Sequence, residues 1–275
     1  MPDEVRYQLL RPAQVIARRK ACPVAYVPLG NVEWHGPHNP LGTDTLRAEG
    51  LAILCAQKGG GLVLPPLWYG ENRLECLVES TAKDRDEIAA AMELPAENFT
   101  PERQPFSQTE QSLNYQRLLL HLLAEAETLG FELGVLVAGH GPLIDHARAA
   151  ALLHNQRRRS RQAGMLAWAL DHGLIRGRFP GAVDHGAGGE TSQNLALHPE
   201  TVDLSLLPPK GGHIVHVRGP IAPQDATAEF GRTTLAANAE LAVREVRHRL
   251  AHQKMYLGHG RGLVEGRWRE DEKKI

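Results

Sequence analysis

Short apolar runs alternate with longer stretches of helical periodicity along this chain. The apolar runs predict buried strands at residues 25–29, 62–67, 134–138, 165–170 and 214–217. The longer stretches place apolar residues on one helical face and predict helices at residues 43–58, 111–129, 145–161 and 225–256. This alternation is typical of an α/β fold, in which a parallel sheet is covered by helices.

Residues 72–108 interrupt the alternation. The segment is polar, contains several prolines and has little periodicity of either kind. A long segment of this type is often functional or forms an oligomer contact. Because no repeat or low-complexity linker marks a boundary, we predict one domain over residues 1–275 with an insertion or lid at residues 72–108.

Composition excludes several classes of protein. Lysine and arginine total 31 and aspartate and glutamate total 32, so net charge gives no reason to expect nucleic acid or an anionic membrane as a partner. The first residues lack the pattern of a signal peptide, and no run approaches the ~20 apolar residues of a membrane span. We therefore expect a cytoplasmic protein. Three widely spaced cysteines predict neither a disulfide framework nor a thiolate zinc site.

Carboxylates and imidazoles are concentrated where the predicted strands end. In open α/β sheets, ligands bind at this carboxyl edge. Carboxylate oxygen and imidazole nitrogen are ligands for divalent ions such as zinc, and the chain has 14 histidines. The clustered residues come from three separate segments and are Glu33, His35, Asp44, His140, Asp184, His185 and Glu190.

Each segment by itself has an ordinary explanation. A histidine after a strand is commonly a hydrogen-bonded loop residue, and an aspartate at a helix start, such as Asp44, is commonly a cap. The metal hypothesis depends on three such clusters following successive elements of one sheet, where they can converge on one crevice.

Three motifs resemble those of the creatininase (creatinine amidohydrolase) family. "GNVEWHGPHNPLGTDT" at residues 30–45 resembles the first family motif, which runs as Glu, any residue, His-Gly-Pro-His-Leu-Pro and then Thr-Asp. "GHG" at residues 139–141 resembles the second, and "DHGAGGETS" at residues 184–192 resembles the third. The motifs occur in the family's order, and the resemblance spans roughly residues 24–200.

The resemblance implies a three-layer α/β/α sandwich with a mostly parallel central sheet. It also implies a divalent-metal centre and, commonly, a hexameric assembly. We therefore expect zinc, with manganese or iron as alternatives, at one or two ions per subunit. The expected partners are a small-molecule substrate and further copies of the chain in a homo-oligomer.

The resemblance also assigns metal ligands. Glu33, Asp44 and His140 would hold one ion, and His35 would begin a second site that Asp44 bridges. Pro142 stands where creatininase has a glutamate ligand of the second metal, and proline offers no side-chain oxygen. Asp145, His146 or Glu190 would then have to complete the second site.

Three residues of the third motif are expected to take part in catalysis. His185 matches the acid/base histidine of the family and is suited to carry a proton to the leaving group. Asp184 stands where creatininase has a glutamate. Glu190 is expected to act either as a metal ligand or as a group that orients one.

We predict a metal-dependent hydrolase that acts on a small polar substrate through attack by metal-activated water. A cyclic amide or related C–N bond is the first expectation. Because residue 142 and the segment at residues 72–108 depart from the family pattern, creatinine itself is not expected to be the substrate. One alternative is a ring-opening hydrolase that cleaves a C–C bond beside the ketone of a cyclic polyol. A second alternative is a metal-binding scaffold without catalysis.

Overall fold

A four-stranded parallel sheet forms the centre of the protein. The computed structural model describes residues 4–70, 77–79, 81–103, 105–157 and 164–256. The strands are β1 (Val24–Leu29), β2 (Leu62–Val63), β3 (Leu133–Ala138) and β4 (Leu166–Asp171), and their spatial order is β2-β1-β3-β4. All three pairings are parallel, which confirms the predicted class of fold.

The register brings the carboxyl ends of three strands together. Leu29, the last residue of β1, pairs with Ala138 at the end of β3, and Ala138 pairs in turn with Asp171 at the end of β4. The loops that follow these strands therefore leave the sheet at one edge, where ligands bind in open α/β sheets.

Helices cover both faces of the sheet and complete three layers. Helices α2 and α7 pack on one face, whereas α1, α4 and α5 pack on the other. The helices of the described chain are α1 (Pro12–Ala21), α2 (Thr43–Gly59), α3 (Arg85–Ala91), α4 (Gln108–Thr128), α5 (Leu143–Arg157), α6 (Gly188–Leu197) and α7 (Ala228–Ala251). Within the described residues, no helix has both the length and the apolar character needed to cross a membrane.

Alternating side chains of each strand fill two separate cores. In β1, Val24 and Tyr26 contribute to the core under α2 and α7, whereas Ala25, Val27 and Leu29 contribute to the core under α4 and α5. This alternation follows from the two-residue repeat of a strand. Because both faces are buried, the strand sequence is apolar throughout rather than alternating with polar residues.

Several predicted elements differ from those observed. The prediction of a strand at residues 214–217 was wrong: these residues form a turn, and His216 has a left-handed backbone with φ of 62°. Strand β2 ends at Val63 rather than at residue 67, because Pro65 and Pro66 cannot donate to a ladder. Helix α1 was not predicted. The predicted helix at residues 145–161 begins at Leu143, and its last four residues lie outside the described chain.

The segment at residues 72–108 packs beside the edge where β1 ends. Its described part contains α3 and two short 3-10 turns. Leu77, Val78, Ile88 and Phe99 form a small apolar cluster with Trp34, which lies in the loop after β1. The segment is therefore anchored to the same loop that carries Glu33 and His35.

Two glycines allow the first turn of α2 to approach the sheet ends closely. A Cβ at Gly139 would lie 2.1 Å from the backbone oxygen of Asp44, and a Cβ at Gly30 would lie 2.2 Å from Oγ1 of Thr45. A Cβ at Gly141, two residues further on, would meet nothing within 4 Å. The position of Asp44 thus depends on residue 139 being a glycine, which has no side chain.

We predict that Gly139→Ala lowers the free energy of unfolding by about 3 kcal/mol, at the upper end of the usual effect of overpacking, because the added methyl group meets backbone rather than a flexible side chain. Urea denaturation measures the change. Gly141→Ala is the matched control and should leave stability nearly unchanged. Equal stability of the two variants would contradict the close approach.

Candidate metal centre

Four potential metal ligands meet at the carboxyl edge of the sheet. Glu33 and His35 lie in the loop that follows β1, Asp44 lies in the first turn of α2, and His140 lies two residues after the end of β3. All but His140 are buried in the chain, and the side chain of His140 is only 12% exposed. The structure therefore brings together residues that are as much as 107 positions apart in sequence.

Asp44 lies between two histidines. Its Oδ2 atom is 3.0 Å from Nδ1 of His140, and its Oδ1 atom is 3.3 Å from Nε2 of His35. The same Nδ1 atom of His140 is 2.9 Å from Oε2 of Glu33. One carboxylate thus faces both imidazoles, which is the arrangement expected of a bridging ligand.

Hydrogen bonding among protein groups does not account for this convergence. Within the described residues, Oε2 of Glu33, Oδ2 of Asp44 and Nε2 of His35 are buried and make no well-aligned hydrogen bond. A single N–H at Nδ1 of His140 cannot point at two carboxylate oxygens at once. Buried charged atoms without hydrogen bonds are costly unless a cation compensates them, so this donor set fits a divalent ion.

The electrostatics of the cluster also favour a cation. Burial opposes the charged form of His35, but the carboxylates of Asp44, Glu190 and Glu33 outweigh burial and raise the pKa of His35 to about 10. His140 is likewise buried, and the neighbouring carboxylates of Glu33 and Asp44 raise its pKa well above the usual value. The surplus of carboxylates retains protons on these imidazoles, and a binding metal ion would have to displace them.

Glu190 joins the cluster from the first turn of α6. Its Oε2 atom is 3.4 Å from Nε2 of His35 and accepts a hydrogen bond of 2.8 Å from the backbone N–H of Gly186. Its other oxygen pairs with the guanidinium of Arg47. Burial raises the pKa of Glu190, but the positive charges of Arg47 and His35 prevail and lower it.

Arg47 was not predicted from the sequence. It is buried, and besides Glu190 it binds Oε1 of Gln193 at 2.8 Å through Nε. The available signal was its position three residues after Asp44, because residues at that spacing share one face of a helix. A charged residue on the inward face of an amphipathic helix requires a buried partner.

Asp184 is held by the start of α6. Its Oδ2 and Oδ1 atoms accept hydrogen bonds from the backbone N–H groups of Gly189 and Glu190, at 2.6 and 3.0 Å. Burial and the negative charge of Glu190 raise the pKa of Asp184 to about 7. The carboxylate that the sequence places among the catalytic residues therefore also satisfies two amides of the first helical turn.

His185 lies against His35 with one nitrogen already occupied. Its Nε2–H donates to the backbone oxygen of Trp34 at 2.9 Å, and the centres of the His35 and His185 rings are 4.3 Å apart. Burial, followed by the positive charge of His35, lowers the pKa of His185. A neutral His185 in this tautomer presents an unprotonated Nδ1.

A cavity of about 650 Å³ opens above the cluster. Glu33, Asp44, His140, Asp184, His185 and Glu190 all line it. The cavity is also lined by polar groups that the sequence did not indicate, among them Glu79, Arg148, Asp171, His172, Arg176 and His216. The cavity is thus bordered by both signs of charge and is suited to a polar ligand.

The residues proposed to replace the missing ligand at position 142 differ in location. Pro142 itself lines the cavity, as does Asp145, whose side chain is 83% exposed. His146 packs edge-on against the ring of Tyr115, with ring centres 5.5 Å apart, within the layer of α4 and α5. Glu190 is therefore the only one of the three expected substitutes that lies beside His35.

The fold and this cluster define an α/β protein with carboxylates and histidines gathered at the carboxyl edge of its sheet as a candidate metal centre. The sequence profile of the creatininase family, described as creatinine amidohydrolase, matches residues 8–246. The chain therefore belongs to the creatininase family, as its motifs indicated.

Two characterised relatives have different substrates in their names. A 3-dehydro-scyllo-inosose hydrolase of Thermotoga maritima is 38% identical over 69 residues, which are 25% of this chain and 22% of the relative. A mycofactocin precursor peptide peptidase of Mycobacterium ulcerans is 27% identical over 189 residues, which are 66% of this chain and 60% of the relative. The matches thus span less than two thirds of either relative.

Solved creatininases share the fold. A manganese creatininase superposes with a TM-score of 0.61 at 21% identity, covering 90% of this chain and 98% of the other. A creatinine amidohydrolase gives 0.60 at 20% identity, with 92% and 98% covered. A zinc–zinc form of a mutant creatininase gives 0.57 at 22% identity, with 90% and 98% covered.

We predict that Arg47→Met lowers the free energy of unfolding by about 3 to 5 kcal/mol, because removal of one partner leaves the buried carboxylate of Glu190 uncompensated. Urea denaturation of the protein as purified provides the measurement. The control is Lys210→Met, which removes an exposed ion pair with Asp225 that is expected to contribute about 1 kcal/mol or less. A loss for Arg47→Met no larger than that of the control would show that Glu190 does not depend on Arg47.

A second prediction concerns His38, which is buried near the site and whose Nε2 lies 3.0 Å from Oγ1 of Thr191. Burial lowers the pKa of His38 from 6.5 to about 4. As pH drops, this histidine binds a proton at a higher pH in the unfolded chain than in the folded protein. The free energy of unfolding should therefore fall between about pH 6.5 and about pH 4, by at most about 1.4 kcal/mol per pH unit. Urea denaturation across this range should give a shallower pH dependence for His38→Asn. Identical slopes for both proteins would contradict the prediction.

Proposed function

We propose that this protein is a metal-dependent hydrolase of a small polar substrate. The observation that carries the proposal is the convergence of Glu33, His35, Asp44 and His140 at one cavity or directly beside it. Glu33, His35 and Asp44 each contribute a buried atom that no hydrogen bond satisfies within the described residues. Membership of the creatininase family supports it. The relatives named above as hydrolase and peptidase support hydrolysis as the class of reaction.

The geometry supports a division of the ligands between two positions. Glu33, Asp44 and His140 would hold one ion, because Oε2 of Glu33 and Oδ2 of Asp44 lie 2.9 and 3.0 Å from Nδ1 of His140. Asp44 and His35 would begin the second position. Glu190 is the available carboxylate beside His35, although its pairing with Arg47 equally suits a role in orienting that histidine. Zinc is proposed, with manganese or iron as alternatives, at one or two ions per chain.

A bound divalent ion would supply Lewis acidity, which polarises a substrate carbonyl and lowers the pKa of a water molecule. The protein groups would perform the remaining tasks. His185 lines the cavity with Nδ1 unprotonated and its ring fixed by the Trp34 carbonyl, so it is placed to accept a proton and return it to the leaving group. Asp184 and Glu190 would hold the loop of His185 in place through the backbone N–H groups of residues 186, 189 and 190.

The first candidate substrate is a cyclic amide or a molecule with a related C–N bond. A cavity of about 650 Å³ is within the range of small-molecule sites, roughly 300 to 1,000 Å³. Hydrolysis of a small ring requires one carbonyl to meet the metal and one nitrogen to receive a proton. The cluster would serve the carbonyl and His185 would serve the nitrogen, since both line the same cavity.

The second candidate is a cyclic polyol ketone that is opened at the C–C bond beside its carbonyl. The inosose hydrolase of Thermotoga maritima supports this candidate through the substrate in its name, over 69 residues at 38% identity. The polar lining of the cavity, which includes Glu79, Asp171 and His172, is suited to hydroxyl groups. A non-catalytic scaffold would keep the metal and turn over neither substrate.

Self-association belongs to the same proposal. Several large apolar side chains around α4 are exposed in the single chain, including Phe106 at 50% and Leu113 at 51%. A homo-oligomer, hexameric by analogy with the family, would cover apolar surface of this kind, and sedimentation would measure it.

We predict that the protein as purified contains a divalent metal and hydrolyses either a lactam or a cyclic polyol ketone. His185→Ala should reduce kcat by about 10²-fold to 10⁴-fold, the usual contribution of a general acid–base group, while metal content is retained. Asp44→Asn should lose both metal and activity. Elemental analysis and a panel of lactams, cyclic ketones and short peptides supply the two measurements.

The matched control is His121→Ala, which removes an exposed histidine of α4 and should change neither metal content nor turnover. Turnover of the lactam or of the ketone selects between the two candidates. Bound metal without turnover of any compound in the panel would favour the scaffold. Unchanged metal content in Asp44→Asn would overturn the assignment of the centre.

A further inference from the structure

We propose that Glu33, His185 and His216 form an additional, weaker site for a divalent transition-metal ion, which adjoins the centre at Asp44 and shares the carboxylate of Glu33 with it. One potential ligand atom from each of these residues lies within 4.8 Å of those of the other two. Two imidazoles and one carboxylate make up a common ligand set for zinc. The inference goes beyond the proposed function, because His216 has no part in that reaction.

Asp84 orients His216 as a metal ligand. Nδ1 of His216 lies 2.9 and 2.8 Å from the two oxygens of the Asp84 carboxylate. A histidine whose Nδ1–H donates to a carboxylate has its ring orientation fixed and can present Nε2 to a metal, and this outer hydrogen bond accompanies most histidine ligands of zinc. Both side chains are largely buried, at 17% and 16% exposed.

His185 is oriented in the same way by a different partner. Its Nε2–H donates to the backbone oxygen of Trp34, which leaves Nδ1 as its free nitrogen. The rings of His185 and His216 meet edge-on, with centres 4.7 Å apart and an angle of 82° between their planes. Each histidine therefore has one nitrogen committed to an oxygen acceptor and a second nitrogen available for a ligand.

His216 has an uncommon backbone conformation that its surrounding contacts hold in place. Its φ of 62° lies in the left-handed region, which is uncommon for residues other than glycine, although histidine, asparagine and aspartate adopt it more often than most. Strain of this kind persists where surrounding contacts impose it, often at functional sites. Here the contacts are the hydrogen bond with Asp84 in the segment at residues 72–108 and the contact with the His185 ring.

An ion at this site would affect the proposed reaction. Coordination by His185 occupies the nitrogen that the proposed function assigns to proton transfer, so excess metal should inhibit turnover. This consequence rests on the proposed function, whereas the site itself does not. Metal binding is therefore the property to measure first.

The experiment is equilibrium dialysis of the full-length protein, as purified, against increasing concentrations of Zn²⁺, with zinc per chain determined by elemental analysis. The wild type should show its tightly held metal and then one weaker equivalent. His216→Asn should abolish the weaker equivalent and leave the tight metal in place. Asparagine is chosen because it tolerates the left-handed backbone at this position.

Two further variants make the result specific. Asp84→Asn should weaken the additional equivalent about 10-fold to 100-fold, the usual effect of losing an outer-shell carboxylate. His213→Asn removes an exposed histidine from the same loop, with a side chain 78% exposed, and should behave as the wild type. Circular dichroism establishes that each variant is folded.

Three outcomes would overturn the inference: no weaker equivalent in the wild type, its persistence in His216→Asn, or loss of the tight metal in that variant. The last would place His216 in the main centre instead. A failure of the proposed function would give a different result from these three, namely the absence of tightly held metal in the wild type.

Discussion

Buried negative charge at the carboxyl edge of the sheet is the constraint on which the site depends. Glu33, Asp44 and Glu190 bring three carboxylates into one region that is nearly closed to solvent. Ionised groups are costly to bury unless they are paired, so each carboxylate needs positive charge close by. Arg47 compensates Glu190, whereas the carboxylates of Glu33 and Asp44 lie against the imidazoles of His35 and His140. This imbalance is the physical reason to expect a cation there.

The fold places these charges by means of strand register and glycine. Strands β1 and β3 end side by side, so the loop with Glu33 and His35 emerges next to His140. The absence of a side chain at Gly139 then lets α2 bring Asp44 against that edge. A centre built on strand ends and a helix start is held more rigidly than one built on long loops. The segment at residues 72–108 contributes Asp84, which pairs with His216.

Much of this arrangement was predictable because its signals are local or repeat along the chain. Buried parallel strands are continuous apolar runs, and the four runs that formed strands were recognisable in that way. The motifs identified the residues that cluster, and the structure brings together Glu33, His35, Asp44, His140, His185 and Glu190 at the cavity or directly beside it. The run at residues 214–217 was misleading. A short alternating stretch does not reveal whether another strand lies beside it in the fold, and these residues do not form a strand.

The sequence by itself determined the class of fold, the edge of the sheet that carries the site and the chemistry of its ligands. Periodicity and motifs carry that information because they depend on residues close together in the chain. Only the tertiary structure decided which charges meet. Arg47 reaches Glu190 across 143 positions, and Asp84 reaches His216 across 132, as helix and sheet packing bring them together. No local pattern specifies such pairs, because the two residues of each pair meet only when separate layers of the fold pack together. Their spacing along any one element does not determine the contact.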